Sequence, residues 1–222
     1  MAGKLYVVGT PIGNLEDITL RALRVLKEAD VIAAEDTRRT GLLLQHFNIS
    51  KPQISLHRFN EARRGSELLE RFERGENIAL VSDAGMPGIS DPGERLIREC
   101  LSKGVAVEVI PGPSAVLHAL VASGFPAIPF YFGGFLPVKG GGRIKELTAA
   151  GERDCTSVYF ESPHRLLRTL DACAALWPER LCCVARELTK KFEEVVVGRP
   201  AELKERFAKP RGEITFLVSG KS

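Results

Sequence analysis

Short apolar runs alternate with longer amphipathic segments along the whole chain. Runs such as Leu5–Val8 and Ile78–Val81 are apolar throughout, which is typical of strands buried on both faces. Segments such as Glu61–Glu73 are amphipathic, with Leu68 and Leu69 at helical spacing from Phe72 among charged residues. Strands are therefore predicted over 4–8, 31–34, 53–56, 78–81, 105–110, 130–132, 157–160, 182–185, 195–197 and 214–218, and helices over 18–29, 37–47, 61–73, 92–103, 114–123, 164–176 and 200–207.

Local chemistry sets two further expectations. Asp17 can cap the helix predicted over 18–29, with Leu20, Leu23 and Leu26 toward the core. The segment 137–143 contains three consecutive glycines, so we expect it to be flexible.

The alternation of strands and helices predicts two α/β domains with mainly parallel sheets. Pro111 and Pro113 make a stiff turn, which places the domains at residues 1–113 and 114–222. A ligand cleft between two such domains is the expected position for a binding site.

Four turns rich in glycine and proline lie at ends of predicted strands, at 9–14, 82–88, 111–115 and 210–213. Open α/β sheets bind ligands at the carboxyl ends of their strands, so these turns indicate a bound small molecule.

The first turn has neither the G-x-G-x-x-G pattern nor a following Lys-Ser/Thr, and on spacing alone it is equally well a structural turn. In the second turn, the Asp83 carboxylate can hold ribose hydroxyls or an ammonium group of a ligand. The alternative is that Asp83 and Asp91 only cap turns and helices. In the third, Ser114 and Ala115 open a helix whose N–H groups can meet a carboxylate or an adenine edge, or Ser114 is a plain cap.

Charged segments at 35–40, 161–165 and 185–191 also follow strands. Asp36 can cap the helix that follows it, and Arg38 and Arg39 can meet phosphate. Twelve basic side chains together can form a rim for an anionic substrate such as RNA. Each of them alone can be a solvated charge. They are His57, Arg58, Arg63, Arg64, Lys139, Arg143, Lys145, Arg165, Arg168, Lys190, Lys191 and Arg211.

Composition narrows these possibilities. A net charge of +3 over 222 residues excludes a strongly basic protein that coats nucleic acid. Five cysteines without C-x-x-C spacing and four scattered histidines indicate reduced thiols and no metal site. No apolar run approaches the ~18–20 residues that cross a bilayer, and a strand begins too early for a signal peptide. We therefore expect a cytoplasmic protein with no membrane contact.

Six motifs, in order along nearly the whole chain, resemble one family. They are residues 5–15 (LYVVGTPIGNL), 34–38 (AEDTR), 80–85 (LVSDAG), 111–115 (PGPSA), 134–137 (GFLP) and 159–162 (YFES). They are similar to those of the bacterial small-subunit ribosomal RNA cytidine 2′-O-methyltransferases, in the tetrapyrrole-methylase-like superfamily. The resemblance implies two α/β domains of the class III methyltransferase type, a homodimer, and S-adenosylmethionine as methyl donor in the interdomain cleft. It also implies a cytidine ribose in the decoding region of 16S ribosomal RNA, free or in the small subunit, as acceptor, and S-adenosylhomocysteine as product.

Carried over motif by motif, the resemblance assigns donor contacts to Ile12, Asp83, Ala84, Gly85, Met86, Ser114, Ala115, Phe160, Ala185 and Arg186. The basic residues that we expect to contact RNA are Arg38, Arg39, Lys139, Arg143, Arg165 and Lys190. A sulfonium methyl is already activated, so positioning supplies much of the catalysis and a base is needed only for the hydroxyl proton. Four carboxylates are equal candidates for that base, and no metal is required. They are Glu35, Asp36, Glu161 and Glu187.

The residues leave two other functions open. One is a methyltransferase for a tetrapyrrole or another small molecule, which the basic clusters favour less than RNA. The other is a ligand sensor or an RNA-binding module without catalysis on the same fold.

Overall fold

The backbone of the computed structural model, which describes residues 3–221, divides into two compact units, Met1–Ser114 and Ala115–Ser222. The boundary predicted from the sequence, after Pro113, differs from this division by one residue. The strands are β1 (Lys4–Val8), β2 (Val31–Ala34), β3 (Gln53–Ser55), β4 (Ile78–Val81), β5 (Ala106–Ile110), β6 (Phe130–Phe135), β7 (Thr156–Glu161), β8 (Cys182–Arg186), β9 (Glu194–Gly198) and β10 (Ile214–Val218). The helices are α1 (Leu20–Glu28), α2 (Thr37–His46), α3 (Glu61–Glu73), α4 (Glu94–Ser102), α5 (Ala115–Ser123), α6 (Gly140–Glu152), α7 (Pro163–Leu176) and α8 (Pro200–Arg206).

The first unit contains a parallel sheet in the order β3-β2-β4-β1-β5. Alternate residues of its central strands join two separate core clusters. Ala79 and Val81 pack with residues of α1 and α2, whereas Ile78 and Leu80 pack with residues of α3 and α4. Both faces are therefore covered, which explains why these strands are apolar at every position.

The second unit contains a mixed sheet in the order β6-β7-β10-β8-β9. Only β6 and β7 pair in parallel, and the other three pairings are antiparallel. The expectation of a mainly parallel sheet is wrong for this unit. The reason lies in two connections: β8 and β9 are joined without a helix, and β10 inserts between β7 and β8 in the opposite direction.

Two local predictions are also wrong. Thr19, not Asp17, caps α1, since its hydroxyl accepts a hydrogen bond from the N–H of Ala22 at 3.0 Å. The helix then begins two residues later than predicted, and Leu20 is 86% exposed. The segment expected to be flexible contains the start of α6, a helix that buries Arg143, Leu147 and Ala150. Packing of that face stabilises a helix that its three glycines disfavour by themselves.

All five cysteines are free thiols, and four of them are buried. Among residues 3–221, no helix combines the length and the apolar character needed to span a membrane.

Candidate functional site

Three of the four glycine- and proline-rich turns lie side by side at the carboxyl edge of the first sheet. Thr10, after β1, and Gly85, after β4, exchange two backbone hydrogen bonds of 2.9 and 3.1 Å. The hydroxyl of Thr10 also lies 3.3 Å from the carbonyl oxygen of Ser82. The first two turns therefore form one hydrogen-bonded unit.

The third turn contacts the first through glycine. A Cβ atom built on Gly9 would lie 2.8 Å from the Cα of Gly112 and 2.7 Å from the sulfur of Met86. Only glycine allows this approach, so residue 9 keeps the turns after β1 and β5 in contact. Ile12 is buried beside the same turns, and Ser114 precedes Ala115, the first residue of α5.

A cavity of about 190 Å³ opens between the turn after β1, helix α2 and the turn after β4. Part of its wall is apolar, and the rest carries hydroxyls, a carboxylate and a guanidinium. The lining residues are Thr10, Pro11, Leu15, Arg39, Thr40, Leu42, Leu43, Ser82 and Asp83. Such a wall suits a ligand with a flat apolar part and hydroxyl or ammonium groups that can donate to a carboxylate.

Beside this cavity, backbone N–H groups hold the carboxylates of Glu35 and Asp83 at the ends of the adjacent strands β2 and β4. The N–H of Asp83 donates to Oε2 of Glu35 at 3.3 Å, and the N–H of Asp36 donates to Oδ1 of Asp83 at 3.1 Å. Arg39 lies 3.5 Å from Oδ2 of Asp83. Burial, and then the charge of Asp83, raise the pKa of Glu35. Glu35 is therefore suited to accept a proton.

Asp91 is a third carboxyl group in the same region. Burial, followed by the charges of Glu35 and Asp83, raises the pKa of Asp91 to about 7, against the opposing charge of Arg58. Arg58 is held here by a 2.8 Å hydrogen bond from Nη2 to the carbonyl oxygen of Ser90. The sequence predicts only a capping role for Asp91, and the signal that could reveal more is a second Asp in the same long turn.

Asp36 is engaged as a cap and as an ion pair. One of its oxygens accepts from the N–H of Arg38 at 2.9 Å, and both accept from the Arg38 guanidinium at 3.0 and 2.7 Å. These bonds hold the pKa of Asp36 well below its usual range. Asp36 is thus a weak proton acceptor, and the Arg38 side chain, although 88% exposed, is already paired with a carboxylate.

Glu161 is buried and fully engaged within the second unit. Its carboxylate accepts from the N–H of Ser162 at 2.7 Å, from the Thr169 hydroxyl at 2.6 Å and from Arg165 at 2.7 Å. Arg165 also donates to the carbonyl oxygen of Leu136 at 2.9 Å. Both Glu161 and Arg165 therefore have structural partners.

Glu187 is held in a similar way at the end of β8. It accepts from the N–H of Glu213 and from Lys190, both at 3.0 Å. Although burial opposes the change, these two donors lower the pKa of Glu187. Lys190 also binds the Glu213 carboxylate at 2.8 Å, so its charge is shared by two acidic partners.

The predicted donor contacts of the second unit lie on neighbouring strands. Phe160 on β7 and Ala185 on β8 are both in register with Thr215 of β10, which lies between them. Arg186 follows Ala185 and binds Glu194 at 2.9 Å. The structure thus brings these residues together at one end of the second sheet.

The predicted RNA contacts differ in exposure. Arg38, Arg39 and Lys139 are exposed. Arg143 is only 9% exposed, and within residues 3–221 its Nε has no hydrogen-bond partner. Arg143 is thus the least accessible of the predicted RNA contacts, because α6 turns this residue toward the core.

Comparison with known proteins identifies the family. The family model for tetrapyrrole (corrin/porphyrin) methylases matches residues 4–204. The chain belongs to this family, and the fold class inferred from the sequence, two α/β domains, is confirmed.

Its relatives give a narrower resemblance. The chain is 48% identical over 221 residues to ribosomal RNA small subunit methyltransferase I of Thermotoga maritima, covering 99% of both chains. It is 45% identical over 226 aligned residues to the protein of the same name from Pasteurella multocida, covering 100% of this chain and 80% of that one. The resemblance inferred from the six motifs is confirmed.

A solved structure of the same fold is uroporphyrin-III C-methyltransferase from Thermus thermophilus, complexed with S-adenyl homocysteine. It superposes with a TM-score of 0.67 at 23% identity, covering 98% of this chain and 97% of that one. At this identity the likeness establishes the fold.

Proposed function

We propose that this protein transfers the methyl group of S-adenosylmethionine to the 2′-oxygen of a cytidine ribose in the decoding region of 16S ribosomal RNA, and that it does so in the cytoplasm. The observation that carries the proposal is 48% identity, over 99% of both chains, to a ribosomal RNA small subunit methyltransferase I. The products are the 2′-O-methylated RNA and S-adenosylhomocysteine.

The donor is assigned to the carboxyl edge of the first sheet, where the three turns meet. The cavity there fits an adenosyl group, since Leu15, Leu42 and Leu43 provide an apolar wall and Asp83 provides an acceptor for hydroxyl or ammonium protons. The turn residues Ile12, Ala84, Gly85, Met86 and Ser114 complete this side of the site. The contribution of Ala115, Phe160, Ala185 and Arg186 is part of the same proposal.

The reaction needs a proton acceptor beside the ribose. As the 2′-oxygen forms its bond to the methyl carbon, the carbon–sulfur bond breaks and the hydroxyl proton leaves. Glu35 is the best placed of the four candidates, because it lies at the same sheet edge as Asp83 and its pKa is raised. Asp91, with a pKa near 7, can share that proton with Glu35.

Glu35→Gln tests this role. We expect kcat to fall by about 10²-fold or more, with a smaller change in donor affinity. Glu187→Gln is the matched control. Its kcat should stay within about threefold of the wild type, because the Glu187 carboxylate is already paired with Lys190. A kcat for Glu35→Gln within about threefold of the wild type would remove Glu35 from the reaction.

A homodimer is also proposed. Several apolar side chains of the second unit are exposed close together in sequence, namely Leu117 and Val121 on α5 and Ile128 and Phe130 at the start of β6. In addition, β6 is an edge strand. Exposed apolar side chains beside an unpaired strand edge support association with a second copy. Sedimentation of the wild type and of Val121→Glu tests this, because the charge should produce monomers.

The function itself is tested on RNA. Reverse transcription at low nucleotide concentration pauses at 2′-O-methylated riboses, so 16S RNA from a deletion strain should lose one pause. Purified protein and labelled donor should restore it on the deletion-strain RNA or small subunit. Retention of every pause after deletion would contradict the proposal, and methylation of a tetrapyrrole instead of RNA would replace it.

The donor site is tested separately by calorimetry. Asp83→Ala should weaken donor binding by about 1.5–3 kcal/mol, the size of a hydrogen bond to a charged group. Asp154→Ala, which removes an exposed carboxylate in the second unit, should bind the donor as the wild type does. Unchanged affinity in a folded Asp83→Ala protein would exclude Asp83 from the site.

A further inference from the structure

The side chain of Phe59 is 99% exposed, in the loop between β3 and α3. This loop is held by its own hydrogen bonds. The Asn60 side chain accepts from the N–H of His57 at 2.8 Å and donates to the carbonyl oxygen of Ser55 at 3.0 Å. The aromatic ring is thus presented to solvent by an ordered turn.

The loop leaves the first sheet at the edge that carries the candidate site. Strand β3 pairs in parallel with β2, and the N–H of Leu56 continues the pairing with a 2.7 Å bond to the carbonyl oxygen of Ala34. Ala34 directly precedes Glu35. Phe59 therefore lies one strand away from the proposed proton acceptor, on the side opposite β4.

A positive charge accompanies the ring. Arg58 precedes Phe59, and its guanidinium binds the carbonyl oxygen of Ser90, beside Asp91. Its charge also acts on both Glu35 and Asp91. The Phe59 ring lies 6.1 Å from the His57 ring, tilted by 62°, and remains 99% exposed. The loop thus combines an exposed aromatic ring with a cation next to the carboxylates, a combination that proteins use to bind single-stranded RNA.

We propose that Phe59 stacks on a base of the RNA substrate that flanks the methylated cytidine, and that Arg58 supplies the neighbouring positive charge. A stacked flanking base fixes the strand, so the target ribose is held over the carboxylates at the ends of β2 and β4. Phe59 is then a positioning residue for RNA. This inference rests on the proposed function, because it requires that the acceptor is RNA.

Steady-state methylation of deletion-strain small subunits or their RNA tests the proposal, with RNA concentration varied. For Phe59→Ala we expect the KM for RNA to rise about tenfold, which corresponds to ~1.4 kcal/mol, while kcat changes less than twofold. Phe59→Trp should retain a KM near that of the wild type, since it preserves an aromatic face. Leu101→Ala is the control, because Leu101 is 61% exposed at the far end of α4 and lies outside the proposed surface.

Fluorescence provides a direct measurement. The tryptophan of Phe59→Trp should be quenched when an oligonucleotide with the target sequence binds, relative to the wild type, whose single tryptophan is Trp177. Donor affinity should be equal in all variants, which separates a loss of RNA positioning from damage to the donor site.

Three results would overturn the inference. One is a KM for Phe59→Ala equal to that of Leu101→Ala in an enzyme whose wild type methylates the RNA. The second is full retention of affinity in Phe59→Ala with no quenching in Phe59→Trp. The third is a shift from dimer to monomer in Phe59→Ala at unchanged KM, which would assign the ring to a protein interface. Absence of RNA methylation by the wild type is a different outcome, which contradicts the proposed function itself.

Discussion

Replacement of Asp91 by asparagine should stabilise the protein at alkaline pH and have a smaller effect at acidic pH. Burial and the neighbouring Glu35 and Asp83 raise the pKa of Asp91 from 3.8 to about 7. The folded chain therefore holds a proton that the unfolded chain releases at lower pH. Wild-type stability should fall as pH rises from about 4 to about 7, and then level off. The amide of Asp91→Asn cannot ionise, so the variant lacks this fall.

The size of the effect follows from the shift. The shift is about three pKa units at ~1.36 kcal/mol each, so ionising Asp91 costs ~4 kcal/mol more in the folded protein than in the unfolded chain. Asp91 is only half-buried and water screens its neighbours, so we reduce this to ~2 kcal/mol. About two of the three units fall between pH 5 and pH 8. The stability advantage of Asp91→Asn should therefore grow by ~1.4 kcal/mol across that interval, or roughly 3–5 °C in Tm.

Thermal unfolding of wild type and variant at pH 5 and pH 8 measures this difference. Asp154→Asn changes an exposed carboxylate, so its Tm should differ from that of the wild type by the same small amount at both pH values. If the Tm difference between Asp91→Asn and wild type were the same at pH 5 and pH 8, Asp91 would ionise as an exposed carboxylate does. Glu35, Asp83 and Asp91 would then not interact at the ends of β2 and β4.

Three further predictions concern packing and specificity. Gly9→Ala introduces a methyl group 2.8 Å from the backbone of Gly112, so it should cost ~1–3 kcal/mol and weaken donor binding measured by calorimetry; unchanged values would show that the turns can separate freely. Thr169→Val removes a 2.6 Å hydrogen bond to the buried carboxylate of Glu161, and chemical denaturation should report a loss of ~1–3 kcal/mol. Arg143→Met should keep the KM for RNA of the wild type, because Arg143 is buried; a severalfold increase would return it to the RNA surface.

The sequence predicts the first unit well because its central strands are covered on both faces. That burial leaves continuous apolar runs such as Ile78–Val81, which their short length and the turn residues on either side identify as strands. The second sheet is harder, since an apolar run does not record strand direction. The antiparallel placement of β10 between β7 and β8 depends on tertiary pairing.

The candidate site is predicted only where its residues share a motif. Asp83 and the turn around it stand out because glycines and a carboxylate follow a buried strand. Asp91, Arg58 and Phe59 do not, since only the register of β2, β3 and β4 brings them to one edge. The burial of Arg143 is not predicted either, because three glycines conceal the helix that buries it.

The position of β10 has a consequence for the order in which the chain folds. The last strand lies at the centre of the second sheet, where it pairs with both β7 and β8. Until Ile214–Val218 leaves the ribosome, β7 and β8 each lack this central neighbour. All five strands of the first sheet, by contrast, are complete by Ile110. Synthesis should therefore release a first unit able to fold early, followed by a second unit that waits for its final strand. Nascent chains that stop before β10 should expose apolar strand edges and depend on chaperones.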